Sequence, residues 1–183
     1  MAMLAIATLP FSLTSCDEDH YYYFDNWGGD NNNEGQGDNN DFWIGMAQTL
    51  SGQWRGDLRA YKLDKNGHAT DSIDYSTDIE FVQSSNNATS GTGTQYDFEA
   101  GNKSGNADFT RDFTWYIDTN NGDIYITYKE QNGNYMMKIA YNDLNLNDRT
   151  FTGLLYAADG GEVDDFFFNR FTSNAKKVKI IFE

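Results

Sequence analysis

The chain reads as an all-β protein: an antiparallel, up-and-down β-barrel of about eight strands with a short helix ahead of the first. Three observations predict it. Apolar and polar residues alternate with period two through successive segments of residues 53–171, as in half-buried strands. The segments are separated by turn sequences, Asp64-Lys65-Asn66-Gly67, Asn120-Asn121-Gly122, Asn132-Gly133 and Asp159-Gly160-Gly161, in which Asn and Gly accept positive φ. Eight or more strands joined by short turns leave two open edges unless the sheet closes on itself. A β-sandwich of the same strands is the alternative. Tyr and Phe are abundant and aromatics make up 16% of the chain, which agrees with β structure.

Taken in order, Met1 to Leu13 is uncharged and mostly apolar, with Leu4, Ile6, Leu9, Phe11 and Leu13. It is too short for a bilayer span of about 20 residues and reads as an export signal over 1–15. Residues 16–41 form an acidic tether rich in Asn and Gly, with eight acids and no Lys or Arg after Cys16. Its sparse apolar surface predicts a flexible linker over 25–41. A helix is expected over Phe42–Leu50, with Phe42, Trp43, Met46 and Leu50 on one face. It opens a single domain over 42–183.

Strands are expected at Gln53–Leu63, Ile73–Gln83, Thr92–Glu99, Phe109–Asp118, Asp123–Glu130, Tyr135–Tyr141, Arg149–Ala157 and Val163–Phe171, with Lys177–Phe182 a ninth candidate. In the second strand Ile73, Tyr75, Thr77, Ile79 and Phe81 share a face against Asp74, Ser76, Asp78 and Glu80. In the third, Tyr96 and Phe98 are read as inward, against Gln95, Asp97 and Glu99. In the fourth, Phe109, Phe113, Trp115 and Ile117 share a face, and Arg111 has their parity.

Two resemblances add to this. Leu13-Thr14-Ser15-Cys16 resembles the lipobox of bacterial lipoproteins, and Cys16 is the only cysteine in the chain. The resemblance implies acylation of Cys16 and a membrane anchor; a free buried cysteine behind an ordinary signal is the alternative. Asp17-Glu18-Asp19 is similar to the signal by which some Gram-negative lipoproteins reach the outer leaflet of the outer membrane, which implies cell-surface exposure over the periplasmic face. Gly52-Gln53-Trp54, where the helix runs into the first strand, looks like the Gly-x-Trp of lipocalins and their relatives. That likeness implies a barrel whose closed end is plugged by Trp54, with Arg170 packed on the ring through a cation–π contact. An ordinary core tryptophan and a surface arginine are the alternatives.

The chain carries 28 acids and 13 bases, of which 20 acids and all 13 bases lie from residue 42 on. Nothing here attracts nucleic acid, which takes a basic face, and anionic lipid would repel the domain, leaving membrane attachment to the anchor. His20 and His68 are the only histidines, one in the tether and one in a turn. A histidine-based nucleophile or zinc cluster would rest on a single turn residue. Asp164-Asp165 point to opposite faces of a strand, and Asp118, Asn120 and Asp123 fit a hairpin turn without calcium. No enzyme, cofactor or metal is expected.

Two functions remain. One is a barrel that holds a small, mostly apolar ligand against Tyr75, Phe81, Tyr96, Phe113, Trp115, Tyr128, Met137 and Tyr141, with Arg111 either meeting an anionic group, pairing with a buried acid, or exposed at the barrel mouth. The other is a filled barrel, an interaction or scaffold lipoprotein that contacts glycan or protein through Tyr61, Tyr116, Tyr125 and Tyr156. A cavity of ~300 Å³ or more with Arg111 on its wall distinguishes the first from the second.

Overall fold

The computed structural model describes residues 39–100, 105–130 and 133–171. The order is α1 (Asn39–Leu50), β1 (Gly52–Leu63), β2 (Ala69–Gln83), β3 (Ser90–Glu99), β4 (Phe109–Ile117), β5 (Ile124–Glu130), β6 (Gly133–Ile139), a 3-10 turn (Tyr141–Asp143), β7 (Asn145–Leu146), β8 (Thr150–Ala157) and β9 (Glu162–Arg170). Each long strand pairs antiparallel with the next. β6 pairs with β8 through Met137–Ala157, Lys138–Tyr156 and Ile139–Leu155, and β9 pairs back with β1, which closes the sheet. The result is an eight-strand lipocalin-like barrel.

The two-residue β7 lies on the same edge of β8 as β6, with Asn145 and Leu146 opposite Thr152 and Phe151. β6 and β7 are thus one strand interrupted by residues 140–144, a break the sequence pattern does not announce. The helix begins at Asn39, inside the stretch expected to be tether. The signal segment, Cys16, residues 17–38, Asn132 and the candidate strand Lys177–Phe182 lie outside the described residues.

Odd and even positions sort inward and outward as period-two strands require, and the inward side chains divide the barrel into two ends. At the end where α1 sits, Trp54, Phe81, Phe113, Trp115, Ile126, Phe151, Phe166 and Phe168 form a continuous buried core. Their rings meet edge to face, with Phe81 5.1 Å from Phe113, 5.9 Å from Trp115 and 5.8 Å from Phe151. Such pairs add about 0.5–1.5 kcal/mol each beyond area burial. Ala47 and Leu50 of α1 are buried on top of them, while Phe42, expected on that face, is exposed.

The large rings fit because β3 offers them glycines. Gly93 lies opposite Phe113 and Gly91 opposite Trp115. A Cβ on Gly93 would stand 2.1 Å from the Phe113 ring and 2.2 Å from the Glu80 carbonyl oxygen. The inner face of β3 therefore carries Gly91, Gly93, Gln95 and Asp97, with no large apolar side chain. This overturns the expected facing of β3. Gln95 and Asp97 are buried, whereas Tyr96 is 41% exposed on the outer wall. The apolar side chains that mark an inward face elsewhere belong here to the neighbouring strand.

Candidate functional site

The closed end is built around Trp54. The last turn of α1 ends with Ser51 N–H donating to the Ala47 carbonyl, 3.0 Å. Gly52 then takes a φ of +124°, a conformation that favours glycine, and turns the chain into β1. Trp54, 1% exposed, donates its Nε1–H to the Leu50 carbonyl at 2.8 Å. Arg170 lies with its guanidinium 3.7 Å from the centre of the Trp54 ring. Arg170 also donates to the Ser51 carbonyl at 2.6 Å and to the Thr49 carbonyl, so it satisfies the carbonyls at the helix C-terminus. A Cβ on Gly52 would come 2.6 Å from Arg170 Nη1. Gly52, Trp54 and Arg170 are thus one mutually fitted unit, with burial pulling the arginine below its ordinary pKa.

Toward the open end the lumen changes character. Arg111 points inward and pairs with Asp97, which is 0% exposed. Asp97 also accepts from Thr77 Oγ1 at 2.7 Å and from Gln95 Nε2 at 2.9 Å, and Tyr128 donates to Gln95 Oε1 at 2.6 Å. The Arg111 guanidinium stands 5.1 Å from the centre of the Tyr128 ring. Burial works against the charge of Arg111, but Asp97 and its other polar neighbours hold its pKa above the usual arginine value. Burial pushes the Tyr128 and Tyr135 phenols well above theirs.

Above this network a cavity of about 120 Å³ opens at the mouth, lined by Leu58, Ala60, Tyr75, Phe109, Arg111, Glu162 and Asp164, among others. Asp164 is only 6% exposed. Burial, and then the negative charge of Glu162 beside it, pushes its carboxyl up to about 8. Two polar atoms of residues that line it, Arg111 Nε and Asp164 Oδ1, are buried without a hydrogen-bond partner. Most buried polar atoms are paired with protein or ordered water. Arg111 and Asp164 thus bring an unpaired donor and an unpaired acceptor to the residues around one cavity.

The sequence-predicted ligand residues separate accordingly. Tyr75 and Arg111 line the mouth cavity. Phe81, Phe113, Trp115 and Met137 are core side chains in contact with one another or their neighbours, not cavity walls. Tyr128 is buried within the hydrogen-bond network. Tyr96 faces outward. Tyr141 lies in the 3-10 turn at the closed end, 5.6 Å from the Trp43 ring, because its strand ends at Ile139. Arg111 is the partner of a buried acid. Sequence reasoning did not place Gln95, Asp97, Glu162 or Asp164 in the site. The parity of Asp164 with Arg170, two strand positions at a time, was the signal available for it.

The outer wall carries a second, more open depression of about 430 Å³ over β2, β1 and β9, bordered by Arg59, Tyr61, Asp74, Asp165 and Phe167. Phe167 is 53% exposed there. Tyr116 and Tyr125 stack on another part of the wall, with ring centres 5.0 Å apart. Among the described residues, no group of three or more His, Cys, Asp or Glu side chains is placed to hold a metal ion, and no helix is long and apolar enough to cross a membrane.

The fold and plug define a lipocalin-like barrel. No family model matches the chain, and no curated protein does.

Proposed function

We propose that this chain is a lipid-anchored lipoprotein of the outer membrane whose barrel binds a small molecule at its open mouth. The observation that carries the binding half is the mouth cavity, two of whose lining residues, Arg111 and Asp164, each bury a polar atom that has no hydrogen-bond partner. The cavity is smaller than the ~300 Å³ that a drug-sized ligand asks for. The mostly apolar guest expected deep in the lumen has no room among Phe81, Phe113 and Trp115. The reading therefore shifts to a smaller and partly polar guest at the rim. Native mass spectrometry of the protein purified from its host should then show a small adduct that is lost on denaturation. A bare mass under gentle conditions, or an adduct that an Ala60→Leu variant retains in full, counts against it.

The anchor half is supported by Leu13-Thr14-Ser15-Cys16 and the acidic Asp17-Glu18-Asp19. Labelling with a tagged palmitate should mark the protein, and Cys16→Ala should abolish the label. A label that survives the substitution refutes acylation at that residue. The competing reading is a surface interaction protein with a filled barrel. The open depression beside Tyr61 and Phe167 favours it. A Phe167→Ala variant that loses partner or glycan binding while the mouth variants keep it would decide for that reading.

A further inference from the structure

We propose that the mouth cavity is a site for a small organic monocation, a primary alkylammonium whose charged head sits on the Asp164–Glu162 carboxyl pair and whose hydrocarbon part lies against Leu58, Ala60 and Tyr75. This rests on the reading of the mouth as a ligand site and names the class of ligand.

The first argument is the charge balance. Arg111 is ion-paired with Asp97 on β3, and its charge reaches Asp164 without pairing with it. That leaves Asp164 and Glu162 of β9, with Asp71 of β2 at the rim, and one further cation on the lining, Lys62 of β1. Lys62 is exposed and lies across the β1–β9 ladder from Glu162, so it serves the rim and not the buried Asp164. Neither strand-pairing partner of Asp164, Ala60 or Leu155, can ionise. The remaining groups facing it, the phenols of Tyr75, Tyr128 and Tyr135, have raised pKa values and are neutral at physiological pH. Asp164 is thus the buried acid of the lining without a countercharge of its own. The chain as a whole carries −15, which favours the approach of cations.

The second argument is size and lining. A dry cavity of about 150 Å³ accepts benzene, with six heavy atoms. The 120 Å³ here matches a guest of about four or five heavy atoms. Leu58, Ala60 and Ile73 offer it an apolar wall, and the Tyr75 and Phe109 rings, edge to face at 6.0 Å, close one side.

In the empty protein at neutral pH the missing charge is supplied by a proton on Asp164, whose carboxyl titrates near 8. The ammonium displaces that proton: the protonated carboxyl loses H+ to solvent and the carboxylate pairs with the bound cation. No bond other than the O–H is broken. Binding should strengthen by about tenfold from pH 7 to pH 9 and release close to one proton at pH 7.

The test is isothermal titration calorimetry of the full chain with n-butylammonium chloride, 1-butanol and sodium butyrate, in buffers of different ionisation enthalpy. The expected result is binding of butylammonium alone, with the stated pH dependence and proton release. Asp164→Asn should flatten the pH dependence and weaken binding at least tenfold, and Glu162→Gln, at a half-exposed position, should weaken it less. Binding of 1-butanol or butyrate in preference to butylammonium overturns the cation while leaving a ligand site at the mouth. Absence of binding by all three overturns this proposal, and the adduct measurement on host-purified protein then decides the broader one. Butylammonium binding that Asp164→Asn leaves unchanged also overturns it.

Discussion

Replacing Arg111 with Leu isolates the value of the lumen ion pair. Asp97 is fully buried, and its carboxylate has three protein partners: Thr77, Gln95 and Arg111. The substitution removes the only cation and leaves two neutral donors. Breaking a buried pair from one side costs about 3–5 kcal/mol, because the remaining charge loses its counter-ion. Loss of the guanidinium from the face of Tyr128 adds about 0.5–2 kcal/mol. The expected destabilisation is thus at least about 3 kcal/mol. Urea denaturation followed by tryptophan fluorescence reads it as a shift of midpoint at constant slope. Adding Asp97→Asn to Arg111→Leu should recover at least 1 kcal/mol. A loss below about 1 kcal/mol would refute the claim that this pair balances the lumen.

Trp54→Ala should cost about 3–5 kcal/mol by the same assay, as large aromatic truncations in a core do; a loss under about 1 kcal/mol rules out its role as a plug. Gly93→Ala should destabilise by about 1–3 kcal/mol, because the new methyl meets the Phe113 ring and the Glu80 carbonyl and neither can withdraw without opening the ladder. An unchanged thermal midpoint would show that this end is loosely packed. Asp164 has a raised folded-state pKa, so folding takes up a proton between about pH 4 and pH 8. Its contribution to stability is fully present below about pH 4 and is lost as pH rises through about 8. Asp164→Asn should flatten that part of the stability profile by up to about 1.4 kcal/mol per pH unit and raise stability at neutral pH. An identical profile in the variant contradicts the raised value.

Much of the scaffold was legible because strands and tight turns are local. Alternation located all eight long strands to within a few residues, and the Asn-Gly and Asp-Gly sequences marked their turns. Gly52, Trp54 and Arg170 were legible as a set only through their likeness to a known plug; the geometry that joins them spans more than a hundred residues. The site was less legible. Period two gives two faces and not which one is inside. On β3 the inward face is glycine and polar, since Phe113 and Trp115 occupy the space above it. Composition therefore pointed Tyr96 inward and Asp97 outward, the reverse of the structure. Tyr141 was misplaced because a strand that breaks at Ile139 and resumes at Asn145 leaves no mark in the pattern.

The two buried aspartates of the lumen then separate structure from function. Both sit on inward strand positions, Asp97 on β3 and Asp164 on β9, and both are almost entirely removed from water. Asp97 is satisfied from three sides by side chains of β2, β3 and β4. A carboxylate so held ties neighbouring strands together and is a sufficient account of itself. Asp164 has an oxygen with no partner, a like-charged neighbour in Glu162, and a cavity in front of it. A protein that needed only a stable barrel would be better served there by an apolar side chain, since an unpaired buried polar group costs about 1–3 kcal/mol. The filled aromatic end already closes the core without help from the mouth. Asp164 is therefore the residue that packing and pairing explain least, and it is the one the proposed ligand would engage.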